Sequence, residues 1–136
     1  MSKKTLTFTL MDPPFETERS TTAFRLLQIA ASRGYDINVF AYEGAVYLPF
    51  SKQIPHANGV HGHDVEEENH PLTKVWVDEL QKLCKDNGGT LDWVNCGLCV
   101  DERGAQEAID GIRRGSPADL LEFTQKSDGN LVIATR

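Results

Sequence analysis

The chain has 136 residues, 40% of them hydrophobic and 25% charged, with a formal net charge of −6. That is the make-up of one soluble globular domain, large enough to bury roughly two-thirds of the surface its unfolded chain exposes. The acidic balance argues against nucleic acid or an anionic membrane as a partner, because both call for a basic footprint.

No apolar run approaches the roughly 20 residues of a membrane span. Met1-Ser2-Lys3-Lys4 leads into alternating residues, not into a continuous apolar segment with a cleavage site, so no signal peptide is read. Leu6, Phe8 and Leu10 alternate with Thr5, Thr7 and Thr9, which predicts a first strand. Asp12-Pro13-Pro14 ends it, since proline cannot donate to a ladder. Ser20, Thr21 or Thr22 can cap a helix whose apolar face is Ala23, Leu26, Leu27, Ala30 and Ala31. Arg33-Gly34 closes that helix, and Ile37, Val39, Phe40 and Ala41 form a second strand, parallel to the first across the helical crossover.

Glu43 to Leu48 reads as a short helix. From Pro49 to Pro71 there is no clear period; the stretch holds three prolines, Gly59, Gly62, all four histidines and Glu66-Glu67-Glu68. Such a loop inside one domain is typically functional, intersubunit or disordered. Leu72, Trp76, Leu80, Leu83 and Cys84 share a helix face that ends at Asn87-Gly88-Gly89, and Leu91 to Val94 is a third strand. Ala105, Ala108, Ile109 and Ile112 have helical spacing, closed by Gly115. Ser116-Pro117 opens another helix with a cap and a first-turn proline, carrying Leu120, Leu121 and Phe123. Leu131 to Ile133 is the last strand. With no repeat and no domain boundary, residues 1–136 read as a single α/β domain around a mostly parallel sheet.

Cys96 and Cys99 carry the chemistry. They form a C-x-x-C where the third strand ends and a helix begins, flanked by Gly97 and Gly104. Open parallel sheets bind ligands beyond the carboxyl ends of their strands. Free N–H groups at a helix start, together with Arg103 in the same loop, favour a thiolate; Asp101 and Glu102 oppose it. Three chemistries fit: sulfur relay through a persulfide, dithiol–disulfide redox, or a zinc site. Zinc would need further ligands, and His61-Gly62-His63 matches no justified zinc spacing, so no metal or other cofactor is read. Three cysteines is an odd count in a chain that does not read as secreted, which favours reduced thiols in a cytoplasmic setting. Cys84, on an apolar helix face, reads as a small buried hydrophobe, and Trp76 and Trp93 as packing residues.

The stretch Val94-Asn95-Cys96-Gly97-Leu98-Cys99-Val100-Asp101-Glu102-Arg103-Gly104 resembles the DsrE/DsrF/TusD family, and within it the YchN-like branch. The likeness continues through Ile109-Asp110-Gly111, Ala118 to Thr124 and the last strand, and more weakly through the first strand, first helix and second strand. The resemblance implies a compact Rossmann-like domain with a largely parallel five-stranded sheet and helices on both faces. It also implies homo-oligomers, as trimers or hexamers, and a sulfur carrier that passes a cysteine persulfide between donor and acceptor proteins such as TusA-like carriers. Enzymatic activity would go no further than sulfurtransfer. Cys96 holds the sulfur-bearing position if Arg103-Gly104 is the anchor, Cys99 matches the second cysteine of the branch, and Arg103 supports the thiolate. The Gln53 to Pro71 loop does not map onto the family core. A dithiol–disulfide oxidoreductase and a non-catalytic oligomeric module with structural or zinc-binding cysteines are the alternatives.

Overall fold

A computed structural model describes residues 3–55 and 71–134. The histidines, Gly59, Gly62 and Glu66 to Glu68 lie outside the described residues. The elements run β1 (Thr5–Leu10), α1 (Arg19–Ser32), β2 (Asp36–Ala41), a 3₁₀ turn (Glu43–Tyr47), α2 (Thr73–Asp86), β3 (Leu91–Cys96), α3 (Gly97–Arg103), β4 (Ile112–Gly115), α4 (Pro117–Lys126) and β5 (Gly129–Ile133). The sheet order is β4-β3-β2-β1-β5, and all four pairings are parallel.

Register places Phe8 beside Val39 and Leu131, and Val39 beside Trp93. These side chains share one face, because strand side chains alternate with period two. The apolar faces of α1 and α2 cover that side, burying Ala23, Phe24, Leu27, Trp76, Val77, Leu80 and Cys84 against it. Phe24 stacks between the two tryptophans, 4.8 Å from the Trp76 ring and 6.2 Å from that of Trp93. Both indoles are therefore packing residues.

The opposite face is different in kind. Thr7 and Thr9 point there, and buried Thr7 is satisfied by Ser127 and Asn38. Its apolar part is a small cluster of Phe40, Val94, Cys96 and Phe123. Helix α4 lies across the strands here, with Phe123 as its single buried side chain. Arg113 of β4 fastens α4 to the sheet by donating to Asp92 at 2.8 Å and to Asp119 at 3.2 Å. Ser116 and Asp119 form the capping box that starts α4 behind Pro117.

Two local expectations differ from the structure. Ser20 does not cap α1; Glu18 holds the cap position, and the Ser20 hydroxyl donates back to the Pro13 carbonyl at 3.2 Å. The helix expected from Ala105 to Ile112 is absent. That segment instead runs antiparallel to residues 49–51, with Ser51 N–H to Glu107 O at 2.8 Å and Ile109 N–H to Pro49 O at 2.9 Å. Its apolar residues anchor a loop: Ala105 packs on Val46 and Val100, while Ile109 packs on the main core. Ile112 begins the edge strand β4, whose Ile-Arg-Arg-Gly sequence lacks apolar alternation because its long side chains serve ion pairs.

Candidate functional site

β3 runs further than its apolar core, through Asn95 to Cys96, and so carries the first cysteine to the carboxyl edge of the sheet. Asn95 fixes that edge. It is 3% exposed, donates to the Val46 carbonyl at 3.1 Å and accepts from the Trp93 indole N–H at 3.1 Å. Cys96 then occupies the N-cap position of α3, with extended backbone, although its sulfur makes no capping hydrogen bond to the helix. Helix α3 starts directly at Gly97, so the C-x-x-C lies on its first turn. A side chain at 97 would put its Cβ 2.9 Å from Arg114 Nε and 3.3 Å from Gly115 O, so the Arg114 side chain would have to shift. Gly104 ends the helix at φ 67°, the left-handed cap geometry.

Helical spacing brings Cys99 back toward Cys96, and Cys99 packs against the cluster that contains it. Cys96 is buried among Phe40, Val94 and Phe123; Cys99 is half-buried between that cluster and the one around Val46 and Val100. The Cys99 sulfur accepts the Glu43 backbone N–H at 3.2 Å. Burial pushes the Cys99 thiol up from its ordinary value, and the neighbouring Cys96 and the Glu43 carboxylate add to this, while the Glu43 N–H pulls the other way.

Arg103 is placed at the far turn of α3, where its guanidinium pairs with the Glu43 carboxylate at 2.8 Å. The Tyr47 hydroxyl donates to the Arg103 carbonyl. The cation at the start of α3 is Arg114, which donates to Gly97 O at 3.0 Å and pairs with Asp101. That pair holds the Asp101 carboxyl below the usual carboxylate range.

Beside the thiols, beyond the carboxyl ends of β1 and β2, lies a cleft of about 680 Å³ lined by Asp12, Arg19, Tyr42, Glu43, Tyr47 and Arg103, among others. Tyr42 joins the cleft to the cysteines: burial, then Glu43 and Cys99, push its phenol up. Tyr42, Glu43 and Arg114 were not singled out in the sequence. A usable signal existed for the first two, since they follow β2 at the sheet edge where ligands bind. Cys84 sits apart in the main core, 1% exposed, its thiol pushed up to about 11 by burial and by Asp36. Among the described residues, no three His, Cys, Asp or Glu side chains group as a metal site would require. No helix among them is long and apolar enough to cross a membrane.

The family model described as "DsrE/DsrF-like family" matches residues 4–133. Two curated relatives are similar across most of their length. "Uncharacterized protein MK0008" of Methanopyrus kandleri is 26% identical over 90% of this chain and 88% of its own. "Uncharacterized protein MJ0989" of Methanocaldococcus jannaschii is 27% identical over 90% and 93%. Among solved structures, the ychN protein from E. coli superposes with a TM-score of 0.72 at 18% identity, covering 96% of this chain and 99% of that one. The conserved protein of unknown function BT1422 from Bacteroides thetaiotaomicron gives 0.58 at 15% identity, covering 95% and 94%. These two likenesses establish the fold.

Proposed function

Because the chain belongs to the DsrE/DsrF-like family, a family generally tied to sulfur relay, we propose that it is a cytoplasmic sulfur carrier that holds sulfane sulfur as a Cys96 persulfide. The observation that carries this reading is the placement of two free thiols at the end of β3, Cys96 buried at the strand end and Cys99 half-buried on the first turn of α3. The Cys96 thiolate attacks the outer sulfur of a donor persulfide, forming the Cys96 persulfide and releasing the donor thiolate. An acceptor thiolate then removes that outer sulfur and restores Cys96. The partners are donor and acceptor proteins of the TusA-like kind. Leu98, between the two cysteines, is 71% exposed, while Leu121 and Val132 on the thinly covered face are each 60% exposed. A homo-oligomer or a docked partner would cover these side chains.

Intact-mass spectrometry after incubation with polysulfide tests the reading. Wild type gains sulfur mass and Cys96→Ala does not. Equal gain by wild type and a Cys96→Ala/Cys99→Ala double variant, or gain by neither, overturns it.

The packing of Cys99 against the cluster that holds Cys96 also supports a second reading. Deprotonated Cys99 attacking the inner sulfur of the Cys96 persulfide would expel sulfide and leave a Cys96–Cys99 disulfide. A disulfide cycling without any persulfide mass would favour dithiol redox over relay.

A further inference from the structure

Glu43 has two unusual features at one place. It is one of two non-glycine residues with positive φ among the described residues, at 52°. Residues with a Cβ occupy this left-handed region at a cost, and such outliers persist where the surrounding structure over-determines them. Here the fixings can be named. The Glu43 carboxylate is held by Arg103 at 2.8 Å, and Tyr47 at the end of the same 3₁₀ turn binds the Arg103 carbonyl. The next residue, Gly44, packs against Pro13 with no room for a Cβ. The outcome of this bracing is an N–H directed at the Cys99 sulfur, at 3.2 Å.

We propose that Glu43 is a positioning residue whose braced left-handed backbone supplies the hydrogen-bond donor for negative charge on the Cys99 sulfur, and that Arg103 acts on the thiol pair through Glu43. This rests on the relay reading only for its purpose; the geometry bears on Cys99 reactivity in either thiol chemistry. Charge reaches Cys99 whenever its proton passes to Cys96 or to a departing sulfur species. A fixed N–H can then steady the anion without rearrangement. The charged and titratable groups around Cys99 are Cys96, Glu43 and Tyr42. Arg103 is engaged by the Glu43 carboxylate, so its influence is routed through that contact.

The test is the pH profile of Cys99 alkylation in the full chain, resolved from Cys96 and Cys84 by peptide mass spectrometry. Glu43→Gly and Glu43→Val both remove the carboxylate and the Arg103 contact. They differ in tolerance of positive φ, which valine disfavours. With one hydrogen bond of ordinary net strength at stake, Cys99 alkylates about three- to tenfold more slowly at neutral pH in Glu43→Val than in Glu43→Gly. Equal profiles overturn the proposal. If Glu43→Val does not fold, Arg103→Gln decides. Its effect on Cys99 is present in the wild-type background and absent in the Glu43→Gly background. A persistent effect means Arg103 acts on the thiols directly and overturns the routing. Because alkylation needs no sulfur donor, failure of sulfur loading with these contrasts intact would remove the relay reading alone.

Discussion

Replacing Asn95 with alanine should uncouple the sheet edge from the 3₁₀ turn that carries Glu43. Asn95 is the only described side chain linking the Trp93 indole to the Val46 carbonyl, and all three residues are 3% exposed or less. Alanine therefore strands one donor and one acceptor in a place water does not reach. An orphaned buried polar group costs about 1–3 kcal/mol, so the pair sets an expected loss of about 3 kcal/mol. For a chain of 136 residues, unfolding entropy near 0.3 kcal/mol per degree converts this to a Tm drop of roughly 10 °C. Urea and thermal melts followed by circular dichroism measure both quantities. Asn95→Asp provides an internal check. Its carboxylate can still accept from Trp93 but offers nothing to Val46 O, and burial raises its folded pKa above the unfolded value. Its deficit relative to wild type is then largest at neutral pH and shrinks as pH falls and the protonated acid regains a donor. A loss under about 1 kcal/mol for Asn95→Ala, or a pH-independent deficit for Asn95→Asp, would refute the reasoning.

Asp119 predicts an acid-side effect of opposite sign. The Ser116 N–H first, and Arg113 after it, hold its carboxyl below the usual range. A depressed folded pKa contributes stability above the unfolded carboxylate pKa and loses it as pH falls through the folded value. The gap between wild type and Asp119→Asn in urea midpoints should therefore be open at pH 7 and close under strong acid. Cys84 should be chemically silent. Buried and with its thiol pushed up to about 11, it resists alkylation at pH 8 until urea unfolds the chain. Cys84→Ala should cost about 1 kcal/mol for the lost packing and leave sulfur loading unchanged by intact mass.

The elements built on strong periodicity were legible in the sequence. The Thr-Leu alternation of β1, the apolar faces of α1 and α2, and the Ser116-Pro117 start of α4 each follow from one local rule. β4 was not legible, because a four-residue edge strand built from Ile112, two arginines and a glycine shows no alternation, and because Ala105, Ala108 and Ile109 mimic a helix by spacing alone. Their backbone partners lie some 56 positions away in the chain, as with Ser51 and Glu107. The thiol pair and its place at the strand end could also be read directly. The donor to Cys99 could not, since nothing in a glutamate's identity announces a left-handed backbone, and a main-chain N–H leaves no mark in a sequence. Arg103 was identified by position, but its partner Glu43 stands 60 residues earlier and only folding joins them.

The sheet order also sets a timetable. β1 lies between β2 and β5, so one edge of it pairs with the next strand synthesised and the other with a strand made more than 115 positions later. Thr5 N–H reaches the Asp128 carboxylate at 2.8 Å across 123 positions of sequence. A nascent chain can close β1 on β2 and start the Phe24–Trp76 core early, but β1 then offers an open strand edge until residues 129–133 arrive. An unpaired apolar edge invites pairing with other chains, and contacts this distant in sequence form slowly. The vulnerable period for aggregation thus lasts until β5 has been made, and β5 is the element that ends it.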